Sequence, residues 1–465
     1  MRPSVSPNFR QFVLNKYPVL AGNEPFLRLF HYLCFGDFSD RDTKQLVIPT
    51  RKMAEEFYRQ EYTCHFKGRE VLEEFRGKVL PTMSWSGHEA LSGQSWNGKA
   101  RQITCNGFDA EMQEALRQEC LRPSEDQVQF ITGEPYRRAD RYHHRDQATA
   151  AYEAELACSS LNPTQSKLLD YLRKISAGHL FIRKLEDNRQ AIEEAIKALP
   201  PHVQDIQYRI LANVEHNPTV YYLPSGQERT CRLSPKGDSL IGLKKEVRKA
   251  ATKGWWECDL RSSQFAILAT VLKAPISKAF IASGKSLWRE LYGFVSGIKD
   301  AEPPPETKNV LKEALYSLCY GKSKIHLKDF LALHGLEKLL THPILAELLS
   351  LRRKWFQEIE RAGGAHDVWG QWHAVDEKQG RWAGSVAATI IQAIEMEIIS
   401  PIFDVAERYK KSGQIRICLF QHDGATMSFR AKDKRLARAQ KQLKKAVEDR
   451  ARQLGVSTVL EFTEL

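Results

Sequence analysis

The sequence predicts an α+β chain of several domains, and three observations predict it. Apolar residues recur at three- and four-residue spacing along much of the chain, the pattern of amphipathic helices. Short extended runs bounded by turn residues, at 83–86, 99–105, 255–260 and 415–429, read as strands. A length of 465 residues corresponds to roughly two to four domains, and 42% hydrophobic with 27% charged residues is an ordinary globular composition. No stretch reaches the ~20 uncharged apolar residues of a membrane span. The longest candidate, 385–403, contains Glu395 and Glu397. The N-terminal MRPSVSPNFRQFVLNKYP has no apolar run that could serve as a secretory leader, so neither a membrane nor an exported protein is expected. Nine cysteines without a C-x-x-C pair offer no zinc ribbon and no disulfide framework, which fits a reducing cytoplasm. A net charge of +12 suits a polyanionic partner, nucleic acid above all.

In the first third, Phe26, Leu27, Leu29, Phe30 and Leu33 mark one face of a helix. Thr50 is placed to N-cap a second helix carrying Met53, Ala54 and Phe57. Val71, Leu72 and Phe75 form the stripe of a third, over 68–80. Two extended runs follow, and Asn97-Gly98 between them has the chemistry of a type I′ hairpin turn. Three helices and a hairpin is the order of a winged-helix DNA-binding domain, which residues 1–134 resemble in order alone; Lys67, Arg69 and Arg76 lie on the candidate recognition helix. A helical domain that supports the rest of the chain is the plainer reading.

The charge-mixed PYRRADRYHHRDQ at 135–147 reads as a linker or exposed loop, within a connector spanning 135–159. Its arginines interleave with Tyr136, Tyr142 and two histidines, which suits a nucleic-acid backbone as well as a solvated connector. Helical patterns follow at 166–176 and at 184–199, the latter ended by Pro200-Pro201.

Three distant segments carry the chemistry. In the first, a short apolar run ends in Asp259 and a helical pattern opens at Phe265, which places an acid at a strand end, suited to a divalent cation or, more plainly, to an N-cap. In the second, Lys308, Lys312, Tyr316 and Tyr320 recur at i, i+4 on one slowly drifting helix face. Two lysines so spaced repel by a few tenths of a kcal/mol, which an anion before them would relieve, and two rings continue the stripe as a packing surface for a nucleoside. Pro303-Pro304-Pro305 leads in and Gly321 ends the helix. In the third, 415–429 reads as two strands joined tightly at His422-Asp423-Gly424. Two carboxylates on adjacent strand ends can hold two metal ions roughly 4 Å apart, the geometry of phosphoryl displacement.

Asp259, the helix from Lys308 to Gly321, and His422-Asp423 resemble, in order and character, motifs A, B and C of family A DNA polymerases. The segment Arg229-Thr230-Cys231-Arg232-Leu233-Ser234 is similar to the family's T-G-R-L-S, and Tyr320-Gly321-Lys322-Ser323 to its Y-G-x-S. Gln392 is expected to begin a helix like the family's Q-G-T-A-A-D helix, and a basic helix at 433–454 precedes a strand at 457–462. The likeness covers about 219–465.

The resemblance implies a right-hand polymerase, with an antiparallel palm sheet and helical fingers and thumb, joined to a small N-terminal, mostly helical domain. Asp259 and Asp423 would hold two Mg2+ ions, with Mn2+ as a substitute. Lys308 and Lys312 would meet the incoming triphosphate, Lys312 also as a proton donor toward pyrophosphate. Tyr316, Tyr320 and Gln264 would surround the nucleotide, Arg232 and Gln392 the primer-template minor groove, and His422 the primer terminus. The implied layout is an N-terminal domain at 1–134, linker 135–159, thumb 160–218, palm 219–285 and 346–465, and fingers 286–345. The partners implied are a DNA primer-template and deoxynucleoside triphosphates, with an origin-like duplex for the N-terminal domain. The setting would be a mobile element replicating in the cytoplasm of a bacterial or phage-infected cell.

The departures bear on sugar choice. Gln264 stands where the family has a glutamate that blocks a ribose 2′-hydroxyl, Gly424 where it has a glutamate after His-Asp, and Trp288 where it has a histidine. Asp259-x-Arg261 with Phe265-Ala266 also resembles motif A of single-subunit phage RNA polymerases, although Tyr316 stands where those carry methionine. The alternatives are therefore a primase or RNA polymerase on the same palm, and a DNA-binding initiator with an inactive polymerase half. Phe108-Asp109-Ala110-Glu111 imitates the opening motif of a proofreading exonuclease, without convincing partner acids.

Overall fold

The computed structural model describes residues 3–36, 45–49, 67–81, 83–85, 100–104, 108–121, 126–174, 178–224, 230–376, 381–409, 414–430 and 433–465. They form two compact units, one of Met1–Cys158, Ser176–Tyr221 and Pro235–Lys253, the other of Ser159–Ile175, Tyr222–Ser234 and Gly254–Leu465. Residues 160–218 are thus divided between them.

In the first unit the Glu24–Phe35 helix starts where the Asn23 side chain accepts from the Phe26 amide, 3.1 Å away. Its apolar stripe is wider than predicted: every residue from Leu29 to Phe35 is buried. Phe30 stacks on Phe130, and His31 and Phe35 pack beside them. The Pro201–His216 helix closes this core, with Arg209 donating to the Leu33 carbonyl at 2.8 Å and Asn213 to the Phe35 carbonyl at 3.2 Å. The third predicted helix runs Lys67–Lys78. Strands Gln45–Pro49, Ala100–Thr104 and Ser84–Trp85 form an antiparallel sheet in that spatial order, the last in sequence lying in the middle. The helix expected after Thr50 and the Asn97-Gly98 turn lie outside the described residues.

The expected linker is corrected: Arg138–Ala157 is one helix of 20 residues. One of its arginines is bound to protein. Arg141 donates to the carbonyls of Glu215 and His216, the orphan acceptors at the end of the Pro201–His216 helix. The 184–199 pattern is also two helices, Gly178–Asp187 and Arg189–Lys197, broken at Asn188.

The second unit is built on four antiparallel strands: β1 (Trp256–Leu260), β2 (Ile415–Phe420), β3 (Gly424–Phe429) and β4 (Leu460–Glu464), in spatial order β2-β3-β1-β4. Period-two alternation buries Cys258 and Leu260 and turns Asp259 to the opposite face. Five helices matter to the site: α1 (Ser263–Val271), α2 (Pro305–Cys319), α3 (Pro343–Ala362), α4 (Ala383–Ile399) and α5 (Asp433–Gln453). Gln392 lies inside α4, which corrects the expectation that it starts a helix; the run from Ala383 is apolar enough to propagate the helix well before it.

The stretch Ala383–Tyr409 is, by length and composition, apolar enough to cross a membrane, contrary to the sequence expectation. Within its most apolar window 72% is buried in protein, so it serves here as core. α5 turns Ala439, Leu443 and Val447 inward against α4, β4 and the Pro401–Tyr409 helix.

Candidate active site

The two acids meet because β1 and β3 are neighbours. Gly424 pairs with Asp259, and the Leu260 amide donates to the Asp423 carbonyl at 3.1 Å. The pairing is close: a Cβ on Gly424 would stand 2.3 Å from the Cys258 carbonyl oxygen. Hence glycine, and no glutamate, follows His422-Asp423. Burial raises the pKa of both carboxyls; Glu257 raises Asp259 further, and Asp259 and Glu395 raise Asp423 further. Lys312 acts in the opposite direction on Asp259, and Arg232 on Asp423. His422 holds the turn at φ 71°. Burial, then Arg232, draws its pKa down to about 4, so the ring is neutral at neutral pH.

α2 forms one wall of an 840 Å3 cavity, which Lys312, Tyr316 and Tyr320 line together with Lys322, Phe356 and Trp382. Pro305 occupies N1, where the missing amide costs nothing. The chain leaves the helix through Gly321 at φ +88°, whose Cβ would be 3.0 Å from the Cα of Gly384 at the start of α4. Lys312 lies 5.9 Å over the Trp288 ring, the residue noted where the family has histidine. Lys308 pairs with Glu302 at 3.0 Å, and Glu302 also takes Arg289 at 2.6 Å. The repulsion from Lys312 is answered by that acid, so no ligand is needed to relieve it.

Behind the acids runs a polar network that the sequence reading missed. Arg232 donates to the Tyr320 hydroxyl and to Glu395, both at 2.9 Å, and Ser263 donates to the other Glu395 oxygen at 2.8 Å. Gln264, buried at the start of α1, donates through its amide nitrogen to the same Tyr320 oxygen. Among the described residues its Oε1 has no partner; half a turn of the amide would let Oε1 accept the Tyr320 proton instead. Gln392 accepts from Thr230, which ties α4 to the segment carrying Arg232. A signal for Glu395 was present: a carboxylate inside an otherwise apolar helix is retained only with partners. Its side chain is 2% exposed.

The acids suit a hard cation. Two adjacent carboxylates raised by burial and by like charge favour one. Among the described residues no group of three or more His, Cys, Asp or Glu could hold a metal by itself. Asp109 caps the Ala110–Leu121 helix through the Met112 amide at 2.8 Å and pairs with Lys16 at 2.9 Å, the structural role that an isolated F-D-A-E segment allows.

No family model matches the chain, and no curated protein matches it. Among solved structures the chain is similar to the POL domain of Pol1 from M. smegmatis, whose structure is a complex with DNA primer-template and dNTP. The TM-score is 0.46 and the identity 16%, over 69% of this chain and 72% of that one.

Proposed function

We propose that this chain is a template-directed DNA polymerase that adds deoxynucleotides to a primer 3′ end. The observation that supports it most is the meeting of Asp259 and Asp423 on neighbouring strand ends, within electrostatic reach of Lys312 and Tyr316 on α2. Two Mg2+ ions (or Mn2+) held by those acids would acidify the primer hydroxyl and neutralise leaving-group charge. The chain's own residues bind and orient. Lys312 offers a cation to the triphosphate and a proton to the departing pyrophosphate. Tyr316, exposed, and Tyr320, held by Arg232 and Gln264, flank the nucleotide sugar and the templating position. Neutral His422 faces the primer end as a hydrogen-bonding group, and Gln392 and Arg232 the minor groove. Lys308, engaged by Glu302, meets the triphosphate after exchanging that partner.

In this reading, palm, fingers and thumb occupy 219–285 with 346–465, 286–345 and 160–218. Residues 1–134 serve a specific duplex site in the replication of a mobile element. The middle position of Ala100–Thr104 between the other two strands is the observation that favours a winged-helix reading of that segment.

Primer extension on a DNA template with Mg2+ tests the proposal, with dNTPs and rNTPs supplied separately. Extension with dNTPs that both Asp259→Ala and Asp423→Ala abolish is expected. Efficient rNTP use, or synthesis without a primer, would favour the primase or RNA polymerase alternative. No synthesis under any condition would favour a DNA-binding protein with an inactive site.

A further inference from the structure

The outer face of α5 carries a row of cations to which the proposed chemistry gives no role. Lys434, Arg438, Lys441 and Lys445 are all exposed, and their spacings of four, three and four residues align them on one stripe. At 1.5 Å rise per residue the stripe is about 16 Å long. None of the four has an ion-pair partner among the described residues, although ion pairs are common elsewhere: Lys16, Lys78, Lys236 and Lys308 each reach a carboxylate. Like charges at these spacings each cost a few tenths of a kcal/mol, and among the described residues no carboxylate within 4 Å of the four offsets them. The opposite face, Ala439, Leu443 and Val447, is buried and holds the helix in place, so the stripe is presented by a rigid element.

We propose that this stripe is a binding surface for the phosphate backbone of duplex nucleic acid. Its length matches about five successive phosphates of one strand, at about 3.4 Å each along the axis. Binding is expected to be independent of sequence, because contacts to phosphates carry no sequence information. A lipid surface is the lesser fit: the exposed residues of α5 include no aromatic or large aliphatic side chain to enter a bilayer. The inference does not depend on the catalytic reading, since it concerns binding alone and is measured without nucleotides.

The test is equilibrium binding of the full chain to a blunt-ended, labelled DNA duplex, with salt varied between about 50 and 200 mM. The variant Lys434→Gln/Arg438→Gln/Lys441→Gln/Lys445→Gln is compared with Lys245→Gln/Lys278→Gln/Lys299→Gln/Lys328→Gln, which removes the same charge from scattered exposed positions. The stripe variant is expected to flatten the slope of log K against log salt by about three to four, near 0.9 per lost phosphate contact, and the scattered variant by less than about one. Arg438→Glu alone, expected to lower the slope by about one to two, keeps the question answerable if the quadruple variant does not fold. Equal slopes for the two quadruple variants would overturn the proposal. So would a loss confined to anionic phospholipid vesicles with duplex binding unchanged.

Discussion

Asp423 sits beside Asp259 in surroundings that disfavour both charges, and this sets the site's behaviour before any substrate arrives. Burial and Asp259 hold the Asp423 pKa above that of an unfolded aspartate, near 4. In that range the folded state binds more protons than the unfolded state, so stability falls as pH rises through the raised pKa. Asp423→Asn, measured with EDTA present, should therefore raise the melting temperature by roughly 2–4 °C at pH 8. The gain should vanish near pH 4, where both carboxyls are protonated; a gain of the same size at both pH values would refute the repulsion. Glu395 is the contrasting case, a buried acid with good partners. Removing one side of a buried pair costs about 3–5 kcal/mol, so Glu395→Ala should lose about that much in urea unfolding, and Glu395→Gln, which keeps the Ser263 bond, clearly less. Equal losses would mean that the charge opposite Arg232 contributes nothing.

At the scale of the element, the lysines of α2 looked equivalent in spacing and are not equivalent in place. Lys312 interacts with Asp259, whereas Lys308 is held by Glu302. Lys312→Ala should lower kcat by about 100-fold or more, as loss of a group acting on developing charge does, and Lys308→Ala should act mainly on KM. Steady-state extension kinetics separate the two, and equal kcat losses would show that Lys308 leaves Glu302 for the substrate. The β1–β3 ladder makes a second demand. Gly424→Ala would press a methyl group against the Cys258 carbonyl, so a loss of about 3 kcal/mol, the upper end of overpacking, is expected in denaturant titration. A neutral outcome would show that the ladder shifts to admit it.

At the scale of the whole molecule, the core of residues 1–134 is completed by a helix that lies outside them. The Glu24–Phe35 helix buries its apolar residues with help from the Pro201–His216 helix, and Arg117 reaches Asp205 at 3.1 Å. A fragment ending at 134 would expose that surface and leave the Leu33 and Phe35 carbonyls without these donors. It should melt without a cooperative transition and bind a hydrophobic dye, whereas the full chain should not; a cooperative melt of the fragment would contradict this. Duplex recognition by this region is better measured in the intact protein.

Much of the site was legible in the sequence because strand alternation and helical spacing are local rules. They placed Asp259 at a strand end, Asp423 in a hairpin turn, and Lys312, Tyr316 and Tyr320 on one helix face, each within its own segment. Local rules also explain the errors: an arginine-rich stretch at 135–147 has no local signal that distant carbonyls await it, so it read as solvated. Partner choice is a matter of tertiary structure. Only the folded chain could assign Lys308 to Glu302, bring Glu395 to Arg232 across 163 residues of sequence, and require glycine at 424 through the closeness of a neighbouring strand. Charge and hydrogen bonding act through space over a few ångströms, and which groups come that close is decided by packing, which no single segment contains.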